Sequence, residues 1–251
     1  MSLLQSLFLG LLQGATEFLP ISSSGHLVIL PKLFGWSSQP LVFDTTLHLG
    51  TGLAILIYFW RDLWGYLLKD RKKLLLILVG SAPAAILGFF LSDYLENYFR
   101  EPVWVALFLI LGSGLLWSAQ KFAKAVSEDV SPKKALSIGL FQALALFPGV
   151  SRSGATISGG MFLGLTKTSA AKFSFLLSLP IILGAGLFQI SDSLEQISHI
   201  PYLSLLVGFF ASFLSGLVFI SFLTGFVKKH SLNIFVVYRL VLAGVIIATL
   251  C

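Results

Sequence analysis

The chain has 251 residues, of which 56% are apolar and only 11% charged, with a net charge of +6 and a mean hydropathy of +0.92. Soluble domains carry about 25% charged residues, so these values exclude one and point to a chain built for a bilayer. The positive balance does not indicate nucleic acid, because the basic residues sit in short loops between apolar runs, as in the cytoplasmic loops of membrane proteins.

Residues 1–12 carry no basic segment and no small-residue cleavage site, so they are expected to be retained as part of the fold. The stretch 7–25, LFLGLLQGATEFLPISSSG, then runs from apolar residues into a Ser/Gly-rich cluster. Apolar runs near the ~20 residues a crossing helix needs follow at about 41–60, 74–91 and 103–120. At 136–154 the first pattern returns as LSIGLFQALALFPGVSRSG, offset by 129 residues and identical at 8 of 19 positions without a gap. Three more apolar runs, at about 173–190, 202–224 and 233–250, complete the chain. Cys251 is the only cysteine, which rules out an intrachain disulfide. The expectation is one membrane domain, 1–251, made of two copies of one unit: repeat one about 1–125 and repeat two about 126–251.

Charge sets the topology. Thirteen of the 17 Lys and Arg residues fall in four places: Arg61 to Lys73, Lys121 to Lys134, Lys167 with Lys172, and Lys228 with Lys229. The positive-inside rule puts all four in the cytoplasm. The loops holding Asp93, Glu96, Arg100 and Glu101, and Asp192 and Glu195, then lie outside. Residues 135–166 have cytoplasmic charge on both flanks, so they must enter and return on the same side. A broken hairpin of that kind is tolerated where it is buried in protein or lines a wet cavity. By repeat symmetry, 7–25 opens a second hairpin. Each half is one hairpin plus three spans, and three is odd, so the halves are inverted and the hairpins meet near the midplane. The expected fold is an all-α polytopic membrane protein with an inverted-topology repeat, six transmembrane helices and two re-entrant helical hairpins. Both termini are expected outside.

Polar and ionisable groups inside such hairpins mark function by default. Tip one offers Gln13, Glu17, Ser22, Ser23, Ser24 and His26; tip two offers Ser151, Arg152, Ser153 and Thr156. Gln13 and Glu17 are four apart, so a helix points both the same way and they can share a cation. Arg152 presents a planar fork suited to a phosphoryl group, and hydroxyls with a Gly-rich turn at a helix start make an anion cradle. A carboxylate for a divalent metal, an imidazole and a serine complete the parts for phosphoryl transfer. Asp44 and His48 read as a local ion pair or polar cap rather than a proton relay, and His199 and His230 as interfacial. Arg239, inside the last run, is expected to meet a buried acid or backbone carbonyls.

The stretches QGATEFLPISSSGH and PGVSRSGAT resemble those of bacterial undecaprenyl-diphosphate phosphatases of the BacA (bacitracin-resistance) family, whose hallmarks are E/Q-x-x-x-E and P-G-x-S-R-S-x-x-T. The chain takes the Gln form at position 13, so any metal is held with less negative charge. The resemblance implies removal of the terminal phosphate of a polyprenyl diphosphate lipid, which recycles the carrier for cell-wall synthesis and confers bacitracin resistance. It also implies Mg²⁺ or Ca²⁺, a bacterial cytoplasmic (inner) membrane and a site opening to the outer face. Carried over, Gln13 and Glu17 hold metal or position water. Ser151, Arg152, Ser153 and Thr156 grip the diphosphate with Ser22 and Ser24 beside them. Ser23 is the expected nucleophile and His26 its general base, with His26 itself or water as alternative nucleophiles. The partners expected are the lipid substrate and membrane lipid, and a homodimer is left open. The rival readings are a transporter or flippase using the same anion site, and the phosphatidic-acid-phosphatase type of enzyme, whose further His, Asp and Lys/Arg-Pro elements have no match here.

Overall fold

The computed structural model describes residues 2–37, 39–192 and 200–251. Among these residues the chain is helical apart from turns and one isolated bridge between Ser127 and Leu165. The helices are α1 Leu3–Phe18, α2 Ser23–Leu33, α3 Leu41–Tyr58, α4 Trp60–Leu68, α5 Arg71–Phe99, α6 Pro102–Phe122, α7 Pro132–Leu144, α8 Arg152–Phe162, α9 Lys167–Asp192, α10 Tyr202–Lys229 and α11 Asn233–Leu250. Local chemistry sets their starts. Ser2 closes a capping box with Gln5, Ser131 caps α7, and a proline opens α6 and α7.

Among the described residues, six helices are long and apolar enough to cross a bilayer: Leu41–Tyr58, Arg71–Leu91, Pro102–Phe122, Lys167–Gln189, Tyr202–Lys229 and Asn233–Leu250. They match the six runs read from the sequence, and the chain is an all-α, multi-pass membrane protein. The duplication persists in the helix boundaries. α2 and α8 span 23–33 and 152–162, again 129 apart, and α1 and α7 begin at 3 and 132.

Contacts between loops sort the two ends of the molecule. Lys172 Nζ bonds Asp62 Oδ1 at 2.6 Å, Lys167 Nζ donates to the His230 carbonyl at 2.9 Å, and Ser231 donates to Gln120 at 3.1 Å. The basic clusters therefore gather at one end. A cavity of about 350 Å³ lies there, between Gln120, Met161, Lys167 and Lys228. The opposite end carries the Lys32–Glu101 pair at 3.7 Å and the Arg100–Asp44 pair at 3.5 Å. The side chains of Asp93, Glu96 and Asp192, together with Glu195 and His199, lie outside what is described.

The hairpins, α1–α2 and α7–α8, open at opposite ends. Helix α1 starts at the Glu101 end and runs alongside α10, with Gly10 against Gly208 and Phe18 reaching Gly216, halfway along α10. Helix α7 starts at the basic end and runs alongside α5, with Gly139 against Gly80 and Leu146 reaching Gly88. Apolar burial gives membrane helices little drive to associate, so close approach through small residues supplies dispersion contact instead. A Cβ at Gly10 or Gly139 would collide with the facing backbone carbonyl, of Gly208 or Gly80 respectively. Both tips end at mid-depth, surrounded by a core that includes Phe18, Ile55, Leu116, Ile157 and Phe175.

Candidate functional site

The two tips share one backbone solution. Each chain reversal ends on a serine with positive φ, Ser22 at 74° and Ser151 at 71°. Left-handed backbone in a non-glycine residue costs on the order of 1 kcal/mol and persists only where the surroundings impose it. Ser22 Oγ caps α2 by accepting from Gly25 N at 3.3 Å, and Ser151 Oγ caps α8 by accepting from Gly154 N at 3.2 Å. Their hydroxyls lie 3.3 and 3.2 Å from those of Ser24 and Ser153.

Arg239 of α11 imposes the shape. Its side chain is fully buried and donates to carbonyls of both tips: Pro20 at 3.4 Å, Gly149 at 3.1 Å and Val150 at 2.9 Å, with Phe108 of α6 at 3.5 Å. Of the two partners expected for it, carbonyls are the ones found. Ser153 adds a direct bond across the junction, donating from Oγ to the Leu19 carbonyl at 3.0 Å.

The polar centre forms where the tips touch. Glu17, almost fully buried, receives Arg152 Nη2 on Oε1, while its Oε2 accepts from Ser23 Oγ at 2.6 Å and from Gln13 Nε2 at 2.9 Å. The other amide hydrogen of Gln13 points to His48 Nδ1, 2.9 Å away, and that nitrogen lies 3.5 Å from Glu17 Oε2. One carboxylate thus gathers groups from α1, α2, α3 and α8. Two buried atoms of the cluster have no protein partner, Gln13 Oε1 and Arg152 Nη1. One is an acceptor and the other a cationic donor, so the centre can take a ligand with both a positive and a negative part.

A family model described as bacitracin resistance protein BacA matches residues 6–245. The chain belongs to the BacA family. The undecaprenyl-diphosphatase of Caldicellulosiruptor bescii is 44% identical across 99% of this chain and 97% of its own length. Those of Thermodesulfovibrio yellowstonii and Elusimicrobium minutum are 42% and 43% identical, the former covering 97% of this chain and 96% of its own length, the latter 99% and 98%.

In this BacA-family chain the geometry brings some of the expected residues together and keeps others apart. His26 does not pair with Ser23. Its Nδ1 donates to the Ser22 carbonyl at 2.7 Å, and its Nε2 accepts from the Tyr238 hydroxyl at 2.7 Å across stacked rings. Ser23 instead donates to Glu17. Thr156 is turned away from the carboxylate, bonding the Arg152 carbonyl at 2.8 Å and Ser174 at 2.6 Å. Ser22, Ser151 and Ser153 use their hydroxyls to cap helices and join tips, while Ser23 bonds the carboxylate and Ser24 lies beside the Ser22 hydroxyl. The Asp44–His48 pair is not formed: Asp44 meets Arg100, and His48 joins the centre. Spacing alone placed both on one helix face but gave no view of α1 opposite. Tyr238 carried no signal, being a lone hydroxyl-bearing aromatic in an apolar span.

Among the described residues, no three His, Cys, Asp or Glu side chains form a group that could hold a metal alone. The donor set fits an ion that takes few protein ligands and the rest from water and substrate phosphate, as Mg²⁺ does. The unpartnered Gln13 Oε1 beside Glu17 is the observation behind that fit.

Proposed function

We propose that this chain hydrolyses undecaprenyl diphosphate to undecaprenyl phosphate and inorganic phosphate, the activity named for its relatives. The observation that carries the reading is the Arg152–Glu17–Ser23 chain, in which a guanidinium, a carboxylate and a hydroxyl from two separate hairpins share one buried point. The hairpins are re-entrant: α1 and α2, at 16 and 11 residues and 1.5 Å per residue, are both shorter than the ~30 Å hydrocarbon layer. The chain sits in a bacterial cytoplasmic membrane with its basic end inside, and the Glu101 end, toward which α1–α2 opens, faces out.

In the reaction, Ser23 Oγ attacks the terminal phosphorus and passes its proton to Glu17 Oε2. The bond from that phosphorus to the bridging oxygen breaks, and undecaprenyl phosphate leaves with the electron pair. Water then cleaves the phosphoserine and releases phosphate. Arg152 has a free Nη1 for a phosphate oxygen, and preorganised donors aimed at developing charge are the largest single term in such reactions. A divalent cation held by Gln13 and Glu17 would offset charge on the diphosphate. Arg239 holds the two tips in register, and His26 ties tip one to α11.

The test is phosphate release from undecaprenyl diphosphate by the purified protein in detergent, with Mg²⁺ or Ca²⁺ and again with EDTA. Release that EDTA abolishes is expected, with phosphoserine at position 23 trapped by rapid quench. No release with either ion would overturn the reading. The inverted halves also suit a transporter, but a carrier needs no hydroxyl bonded to a buried carboxylate, and the Ser23–Glu17 bond favours hydrolysis.

A further inference from the structure

We propose that His48 of α3 is a positioning residue for the cation site: its ring turns the Gln13 amide so that the oxygen is left as the metal ligand. This inference rests on the hydrolase reading and on the cation assigned to Gln13 and Glu17, and it adds the residue that makes an amide suitable there. An amide has one oxygen and one nitrogen, and only the oxygen can serve a hard cation. A glutamine in such a site must therefore face the right way, whereas a carboxylate presents oxygen on either side. The chain carries the Gln form at position 13, so its orientation has to be set by neighbours.

Two acceptors set it. Gln13 Nε2 lies 2.9 Å from Glu17 Oε2 and 2.9 Å from His48 Nδ1. With the amide reversed, its oxygen would confront the carboxylate oxygen at that distance, so the nitrogen belongs on this side. One of its hydrogens goes to Glu17 and the other to the Nδ1 lone pair, and Oε1 is left buried without a protein partner. A single bond would leave the amide plane free to swing, because the last torsion of a glutamine is broad. The bond to His48 removes that freedom. Helix α10 brings the two side chains into line. Ser212 Oγ donates to the Leu47 carbonyl of α3 at 2.7 Å, one residue before His48, and Ser215 Oγ donates to the Leu11 carbonyl of α1 at 2.7 Å, two residues before Gln13.

The second half supplies the contrast. A shift of 129 residues puts Gln142, Leu146 and Leu177 where the first half has Gln13, Glu17 and His48. Gln142 is buried as deeply, 2% exposed against 0% for Gln13, yet among the described residues neither its Nε2 nor its Oε1 has a partner. The same amide at the same place in a hairpin is held only where an acid and an imidazole flank it. The hairpin itself does not orient the amide, and the group that completes the task comes from a neighbouring span.

The experiment measures Mn²⁺ binding by electron paramagnetic resonance on the purified chain with farnesyl methylenediphosphonate, a diphosphate analogue that cannot be cleaved. His48→Leu, which copies the second half, is expected to weaken Mn²⁺ binding by about tenfold or more, the usual size for a partner of a metal ligand. His48→Asn returns an oxygen acceptor close to the place of Nδ1, and its affinity should lie within about threefold of the unmodified chain. In a Gln13→Glu chain, whose carboxylate needs no aiming, His48→Leu should change binding by less than about twofold, because the two sites are then uncoupled. Phosphate release should show the same order as a raised Mg²⁺ requirement, with kcat at saturating Mg²⁺ kept within about threefold. Unchanged Mn²⁺ affinity in His48→Leu, equal loss in the Leu and Asn variants, an undiminished loss in the Gln13→Glu chain, or no Mn²⁺ bound by the unmodified chain overturns the proposal. His48→Ala, which only shortens a side chain that is 34% exposed, gives the same reading if the leucine variant lacks a normal thermal transition. Failure of the hydrolase reading is distinct: the unmodified chain would then release no phosphate from undecaprenyl diphosphate, while the Mn²⁺ series still reports on His48.

Discussion

The two hairpin tips turn on the same serine-capped motif, and the proposed reaction gives them opposite chemical duties. Both turn on a strained serine that caps the next helix through a glycine N–H. Tip one then supplies the acid and the hydroxyl, in Glu17 and Ser23, whereas at the same positions tip two has Leu146 and Arg152; the amide is common to both, as Gln13 and Gln142. In the proposed reaction one tip holds the reacting groups and the other holds the charge that binds phosphate. The difference teaches that in this duplicated unit the turn is the shared inheritance, and that the proposed division of labour rests on two side-chain differences.

That division can be tested from either side. The largest effect is expected for Glu17→Gln, which removes both the anchor of Arg152 and the acceptor of Ser23: phosphate release should fall by roughly 10³-fold or more. Adding Leu146→Glu should not rescue it, and rescue would show the tips to be interchangeable. Next, Arg152→Lys keeps the charge but loses the planar fork, and a fall of about 10²-fold in kcat/KM is expected. Arg239→Met leaves the carbonyls of Pro20, Gly149 and Val150 without their donor. A lower Tm together with about a 10- to 100-fold loss in kcat should result, because misplacement near 1 Å has effects of that size. His26→Gln should be milder, within about tenfold, since its nitrogens face Ser22 and Tyr238. A loss as large as that of Glu17→Gln would restore His26 as the base. The smallest change is expected for Thr156→Val, within about 1 kcal/mol of transition-state stabilisation, as its hydroxyl bonds within tip two.

Much of this was legible in the sequence because membranes punish exceptions. Six apolar runs, a 129-residue repeat and four basic clusters determine the number of spans, the duplication and the basic end. Glu17 and Arg152 stood out as charges inside greasy hairpins, and the structure brings them into contact. Finer roles were not legible. Ser23 and His26 are three apart on α2, within about 60° of one another around the helix, yet Ser23 bonds α1 and His26 bonds α11, a split that spacing does not encode. His48 reaches the centre only because α3 packs beside α1, a contact that spacing within α3 does not encode.

The guanidinium and the carboxylate that meet at the centre belong to different repeats. A single copy of the unit assembling as an antiparallel dimer would need acid, hydroxyl and cation on every tip, forcing like charges to confront each other at the twofold axis. Fusion into one polypeptide removes that obligation. Each copy is free to carry half of the reactive set, and a symmetric scaffold can hold a single, polarised centre.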